Sequence, residues 1–244
     1  LPSTRAKPAI PSRSEPHIYI SKDMIDKIFK RFPEGCSAHI PLMLGYKCGL
    51  RFGEAFAVSW SDIDFEKGTL AVNRQVQWQG GSKEHGKGYW YFSEPKYNSF
   101  RTIALDSSLI ELLKREKQRQ DRAAEYYAEK YTHLYEVDYT CELNTVGNGT
   151  EIFPVCRREN GGYIQPRIMQ HTSMIIHTQL GCEDFDFHSL RHTHATNLAE
   201  AGANPKYVQA RLGHKNIQVT MQVYQHCSDT IIQQGDKILN NMYA

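Results

Sequence analysis

Apolar residues fall at helical spacing soon after the start of the chain. Met24, Ile25, Ile28 and Phe29 mark one face. Ser21 is of the type that caps a helix N-terminus, and Asp23 sits in the first turn, where the helix dipole favours an anion. The pattern predicts a helix there, a second from about Ala38 to Cys48 ending at Gly49, and a third from about Gly53 to Val58. The period then changes. Leu70, Val72, Val76 and Trp78 alternate with polar residues, as in a half-buried strand, and Gly80, Gly81, Gly86 and Gly88 mark a loose turn. Tyr89–Ser93 and Arg101–Leu105 read as two further strands, joined by Pro95-Lys96-Tyr97-Asn98. A helix is predicted over about 107–139, turns over 140–165, and helices again over about 166–180, 189–201 and 205–212. The last has Asn204 as its cap, Pro205 at its first position and Gly213 as its stop. The fold class that follows is α+β: mainly α-helical, with a small three-stranded antiparallel sheet.

Tyr127, Tyr131, Tyr135 and Tyr139 recur every four residues, which reads either as a helix face packed on the body or as a platform for stacking bases. The stretch from Ala203 to Tyr224 has a helix-turn-helix pattern. Residues 1–17 carry Pro2, Pro8, Pro11 and Pro16 and read as an extended linker; the first residue, Leu1, suggests a fragment of a longer protein. The sequence has no apolar run of about 18 residues and no signal peptide, so no membrane partner is expected. The net charge of +2 says little about partners, but its distribution says more. Arg5, Lys7 and Arg13 precede the first acidic residue, Glu15, and Lys83, Lys87, Lys96 and Arg101 crowd one region, tempered by Glu84 and Glu94. The six cysteines form no CxxC pair and no zinc spacing, so they read as reduced thiols of a cytoplasmic protein, and no metal or other cofactor is expected. The Asn148-Gly149-Thr150 sequon is then only a turn.

Cleaving a phosphodiester without a metal needs a nucleophile, cationic donors at the non-bridging oxygens, and an acid for the leaving 5′ oxygen. Arg51, in Gly49-Leu50-Arg51-Phe52-Gly53-Glu54, is one donor candidate. Glu54, three residues on, either holds its guanidinium or forms a plain surface pair with it. His188 and Arg191 share a helix start that already favours an anion, or else act as a capping His and a solvated Arg. His192 and His194 fall on other faces and read as packing or supporting groups. His214 follows Gly213 just beyond a helix end, which suits a donor to phosphate and equally a histidine favoured by the helix dipole. Lys96, at the hairpin tip between two strands, is the acid candidate, since such a tip can reach into a groove and deliver an ammonium to a leaving oxygen. Lys83 and Lys87, in the Gly-rich loop, meet either the DNA backbone or solvent, and Arg101 is a further candidate for the DNA backbone. Tyr224 is one tyrosine among fourteen, and ionises near pH ~10 unless cations stabilise its oxyanion.

The order of these segments carries more than any one of them. Gly49-Leu50-Arg51-Phe52-Gly53-Glu54, then Lys96, then His188-Ser189-Leu190-Arg191-His192-Thr193, then Leu212-Gly213-His214, then Tyr224 resembles the tyrosine recombinase family, specifically the integrases of phages and conjugative transposons. The resemblance covers about 21–228. It implies a catalytic domain over 18–228 and a linker over 1–17 from a missing core-binding domain. Ile231, Ile232, Ile238, Leu239 and Met242 mark one face of a tail helix over 229–244, which either packs on its own domain or, as in related recombinases, docks on a neighbouring copy. The resemblance also implies that Arg51, Arg191 and His214 bind the scissile phosphate, and that His188 assists proton transfer and phosphate binding. Lys96 then protonates the leaving oxygen, Tyr224 forms a 3′-phosphotyrosine link, and Glu54 and His192 support the site. The implied partners are double-stranded DNA, three further copies in a tetramer on two duplexes joined by tail exchange, and an accessory excision factor. Tyr97 stands where such enzymes often have Thr, which puts the register of Lys96 in question. Three other readings remain open at this point. A type IB topoisomerase-like enzyme shares the chemistry. A non-catalytic helix-turn-helix regulator leaves Arg51, Lys96 and the His188/Arg191 pair unexplained. A metal-free hydrolase using His188 and His214 holds no covalent adduct.

Overall fold

The computed structural model describes residues 18–81, 87–137, 140–226 and 228–242. The predicted linker 1–17, Lys83 and Tyr139 lie outside the described residues, as do the side chains of Ile231 and Ile232.

The helix α1 (Lys22–Arg31) starts where Ser21 accepts the Met24 amide and buries Ile25 and Ile28. α2 (His39–Cys48) is buried along most of its length and stops at Gly49, whose φ of 65° is left-handed. α3 (Phe52–Ala57) follows, with Arg51 at its N-cap. Burying each large side chain of this group, such as Ile28, Leu42, Leu50 and Phe56, contributes about 1.5–3 kcal/mol.

The β region is divided more finely than the alternating pattern predicts. β1 (Ile63–Asp64), β2 (Thr69–Val72) and the later β5 (Arg101–Ala104) form a three-stranded antiparallel sheet in the order β1-β2-β5. β3 (Gln75–Gln79) and β4 (Tyr89–Ser93) form a separate two-stranded ribbon. The apparent single strand from Leu70 to Trp78 is therefore two, with Val72 opposite Arg101 and Val76 opposite Phe92. As a consequence, Lys96 is not at the tip of a hairpin: β4 and β5 belong to different sheets, and residues 94–100 cross between them.

The long predicted helix is also shorter. α4 (Ser107–Tyr127) ends as Ala128 turns to φ 45°. Tyr131 is buried beyond it, and Tyr135 lies in β6 (Leu134–Glu136), which pairs with β7 (Leu143–Asn144) and β8 (Thr150–Ile152). The four-residue period of the tyrosines is thus not a helix face, because strand pairing in this third sheet overrides local helical preference.

α5 (Ile168–Leu180) is followed by α6 (Phe187–Glu200), which starts two residues earlier than predicted because Asp186 caps it through the Ser189 amide at 2.6 Å. α2 and α6 pack closely: a Cβ on Gly45 would come within 2.8 Å of the Phe187 ring. α7 (Pro205–Leu212) is capped by Asn204 and closed by left-handed Gly213. α8 (Ile217–His226) and α9 (Ser228–Met242) complete the chain. A second, smaller core gathers Ala195 and Ala199 of α6, Val208 and Leu212 of α7, and Val223 and Tyr224 of α8.

Candidate active site

The site is built around the turn Leu212-Gly213-His214. Arg51 reaches it from the start of α3. Leu50 is fully buried, so the neighbouring side chain points the other way, towards the turn. The Arg51 guanidinium donates through Nη1 to Glu54 Oε1 (2.7 Å) and Ser99 Oγ (2.8 Å), and through Nη2 to the Gly213 carbonyl (2.8 Å). Its backbone N–H also donates to Glu54 Oε2 (2.9 Å). One side chain therefore ties α3, the 94–100 connection and the α7–α8 turn together.

Arg191 reaches the same turn from α6. It is 2% exposed and donates through Nη1 to the Gly49 carbonyl and through Nη2 to the Leu212 carbonyl, both at 2.7 Å. Gly49 is needed here: a Cβ on it would meet Leu212 at 2.6 Å and His194 at 2.8 Å, and its φ is positive. Burial, followed by the nearby positive charge of Arg51, brings the Arg191 pKa down to about 9. It stays protonated at neutral pH. Among the described residues no carboxylate lies within ion-pair distance of it.

Glu54 is the acid of this cluster. Its side chain is fully buried and accepts from Arg101 as well as Arg51. Burial alone would raise its pKa. The Arg101 hydrogen bonds and the charges of Arg101 and Arg51 outweigh that and hold it at about 2.

Arg101, a sequence candidate for the DNA backbone, has a side chain only 6% exposed. Its Nη1 and Nη2 grip the Glu54 carboxylate at 3.0 and 2.7 Å, and its Nε donates to the Arg211 carbonyl at 2.8 Å. In this structure the Arg101 charge is satisfied by the buried Glu54 carboxylate. The net result is three guanidiniums, Arg51, Arg101 and Arg191, around one carboxylate, an arrangement with a deficit of negative charge.

His214 stands beyond Gly213, half-buried, with Nδ1 2.9 Å from the Thr220 hydroxyl. Burial and then the charges of Arg191, Arg51, His188 and Arg101 push its pKa down to about 3. It is therefore neutral at physiological pH; in the tautomer whose Nδ1 accepts from the Thr220 hydroxyl, Nε2–H is a donor. His188 lies exposed in the first turn of α6, close enough to act on His214 by its charge. His192 is half-buried on the same helix. His194, read from the sequence as a packing or supporting group, accepts from Arg211 Nε at 2.9 Å, while Arg211 also bonds the Ala104 and Lys47 carbonyls.

Tyr224 lies on α8 in the second core, and its hydroxyl donates to the Ala203 carbonyl in the α6–α7 loop. Lys96 is exposed on the 94–100 connection, with Nζ 5.1 Å from the centre of the Tyr97 ring. Lys215 shares that ring at 6.0 Å. Lys87 is exposed just ahead of β4. Ser99, Thr220, Arg211 and Lys215 were missed from sequence. Lys215 was findable by its adjacency to His214; the others act through contacts between distant segments. Among the described residues no group of three or more His, Cys, Asp or Glu is placed to hold a metal, and no helix is long and apolar enough to cross a membrane.

Comparisons with known proteins assign the class. The fold is that of the catalytic domains of tyrosine recombinases. The structure aligns with the Tn1549 transposon integrase in complex with circular intermediate DNA at a TM-score of 0.64, with 21% identity, covering 93% of this chain and 68% of that one. It aligns with the XerA recombinase at a TM-score of 0.56, with 16% identity, covering 94% and 65%. The chain belongs to the phage integrase family, whose model matches residues 19–230. Among curated relatives, a "Tyrosine recombinase XerC-like" protein of Caldanaerobacter subterraneus subsp. tengcongensis is 32% identical over 251 residues, covering 99% of this chain and 60% of the relative. The ICEBs1 integrase of Bacillus subtilis is 25% identical over 189 residues, covering 75% and 43%. The chain thus spans about half the length of the curated relatives it matches.

Proposed function

We propose that this chain is the catalytic part of a site-specific DNA recombinase that integrates and excises a mobile element, such as a conjugative transposon or prophage, in the bacterial cytoplasm. The observation that carries the reading is the pair of arginines on one turn. Arg51 and Arg191 bond adjacent carbonyls, only one of them has a direct carboxylate partner, and the His214 ring stands on the next residue. That is a seat with unmet demand for an anion of phosphate size.

In this reading Arg51, Arg191 and His214 hold the non-bridging oxygens of the scissile phosphate. The Tyr224 hydroxyl leaves the Ala203 carbonyl and attacks phosphorus, its proton passing to His188. The bond from phosphorus to the 5′ oxygen breaks with its electron pair, and the Lys96 ammonium protonates that oxygen. The 3′-phosphotyrosine bond conserves the energy of the phosphodiester. A 5′-hydroxyl from a second duplex then attacks it, so strands are exchanged without ATP. Glu54 holds Arg51 in place, and His192 supports the same helix. Lys83 and Lys87 follow the DNA backbone. The helix α9 exposes Ile238, Leu239 and Met242, an apolar edge suited to docking on a neighbouring copy in a tetramer on two duplexes, with an accessory factor biasing excision.

The test is incubation with nicked site DNA in chelator. A covalent protein–DNA adduct with a free 5′-hydroxyl is expected, lost in Tyr224→Phe. An adduct that persists in the Phe variant sinks the assignment. Joining of strands between two duplexes separates a recombinase from a topoisomerase-like enzyme.

A further inference from the structure

We infer that Tyr97 is a positioning residue whose ring holds the Lys96 ammonium beside the His214 turn. The inference rests on the reading of Lys96 as the acid for the leaving oxygen.

The connection that carries Lys96 is anchored at both ends. Pro95 is buried at one end. At the other, Ser99 accepts from Arg51, and Arg101 is fastened to Glu54 and to the Arg211 carbonyl. Between these anchors Tyr97 adopts φ 63° and Asn98 φ 50°. A left-handed backbone is uncommon for a bulky residue, and such strain persists where the surroundings impose it.

The Tyr97 side chain is 61% exposed, so core packing does not account for an aromatic residue here. What its ring meets is two ammoniums. Lys96 Nζ lies 5.1 Å from the ring centre and Lys215 Nζ 6.0 Å. Both distances fall within the range where the negative face of an aromatic ring attracts a cation. Among the described residues neither lysine has a carboxylate within ion-pair distance. Lys215 is the chain neighbour of His214. The ring therefore lies between the ammonium of Lys96 and that of the residue next to His214, and draws the two together. Two ammoniums on one ring repel each other, and a DNA phosphate between them relieves that repulsion.

A long, flexible lysine otherwise samples many rotamers, of which few reach the 5′ oxygen. Holding it near one position raises the fraction of cleavage events in which the proton is in place. The effect of the ring should be modest, about 3- to 20-fold in cleavage rate, the scale of one or two partly exposed cation–ring contacts.

The experiment compares cleavage of ordinary site DNA with cleavage of the same DNA carrying sulfur at the 5′ bridging position. A thiolate leaves without a proton, so the sulfur substrate bypasses any defect in the acid and leaves other defects visible. In the full-length protein, Tyr97→Leu should slow cleavage of the oxygen substrate about 3- to 20-fold and match the unsubstituted protein on the sulfur substrate. Tyr97→Phe, which keeps the ring, should restore the rate. Lys96→Ala should show a larger loss, also rescued by sulfur. Tyr97→Leu that is equally slow on both substrates, or unaffected on oxygen, overturns the inference while a rescued Lys96→Ala leaves Lys96 as the acid. Lys96→Ala without rescue overturns the acid assignment, and the inference with it.

Discussion

Arg51 and Arg191 donate to consecutive carbonyls, Arg51 to Gly213 and Arg191 to Leu212, each through Nη2, at 2.8 and 2.7 Å. Their guanidiniums are thus set side by side by backbone that neither α3 nor α6 contains. The arrangement is preorganised: the donors need not be gathered when phosphate arrives.

Arg191→Lys keeps a charge but cannot bridge the Gly49 and Leu212 carbonyls with a planar fork. Cleavage, measured as the rate of adduct formation, should fall about 10²–10³-fold. Because a carbonyl loses its donor, unfolding free energy should fall by about 1–3 kcal/mol as well. A Lys variant with normal cleavage would remove Arg191 from the phosphate seat.

The buried trio of Arg51, Glu54 and Arg101 is expected to behave as one unit. Arg101→Gln breaks a fully desolvated pair and should destabilise the fold by about 3–5 kcal/mol, read from chemical unfolding. Its effect on DNA binding should not carry the signature of a lost phosphate contact. The slope of log affinity against log salt should stay unchanged, whereas loss of one true phosphate contact changes that slope by about 0.9. A reduced slope would return Arg101 to the DNA backbone.

Acid should destabilise this domain early. Burial and the Arg211 charge hold the His194 pKa at about 3, against an ordinary 6.5. The unfolded chain therefore binds a proton that the folded one refuses. Stability from this group is complete above about pH 6.5 and is lost as pH falls towards 3, by up to about 1.4 kcal/mol per pH unit. His214 acts in the same direction. Glu54 joins only at lower pH, its contribution being present above about 4.5 and lost as pH falls towards 2. His194→Gln keeps an acceptor for Arg211 and should flatten the dependence of unfolding free energy on pH between about 6.5 and 4.5. An unchanged slope would place the titration elsewhere.

Deleting residues 229–244 should impair pairing of two duplexes more than binding to one. Size-resolved analysis of protein–DNA complexes checks this, and so does Leu239→Asp, which places a charge on the exposed edge of α9. Complexes of unchanged size on DNA would argue that α9 serves its own protomer.

The sequence by itself determined the parts whose causes are local. Ser21, Asn204 and Pro205 start helices and Gly49 and Gly213 stop them, because capping and left-handed termini depend on residues within one turn. The motif order then placed Arg51, Arg191, His214 and Tyr224 at defined positions on those elements. Tertiary structure decided what each charge does. Arg101 looks like Lys96 in sequence, a basic residue near a strand. It differs because Glu54, 47 residues away, is brought against it and water is excluded from both. The tyrosine period after residue 127 is likewise undone by β6 pairing with β7 and β8. Tyr224 itself rests on a carbonyl 21 residues upstream. Caps and periodicities are readable along the chain because they act over a few residues. Counter-ion choice, strand partners and burial are set by segments that meet only after folding, where desolvation makes each pairing strong enough to override local preference.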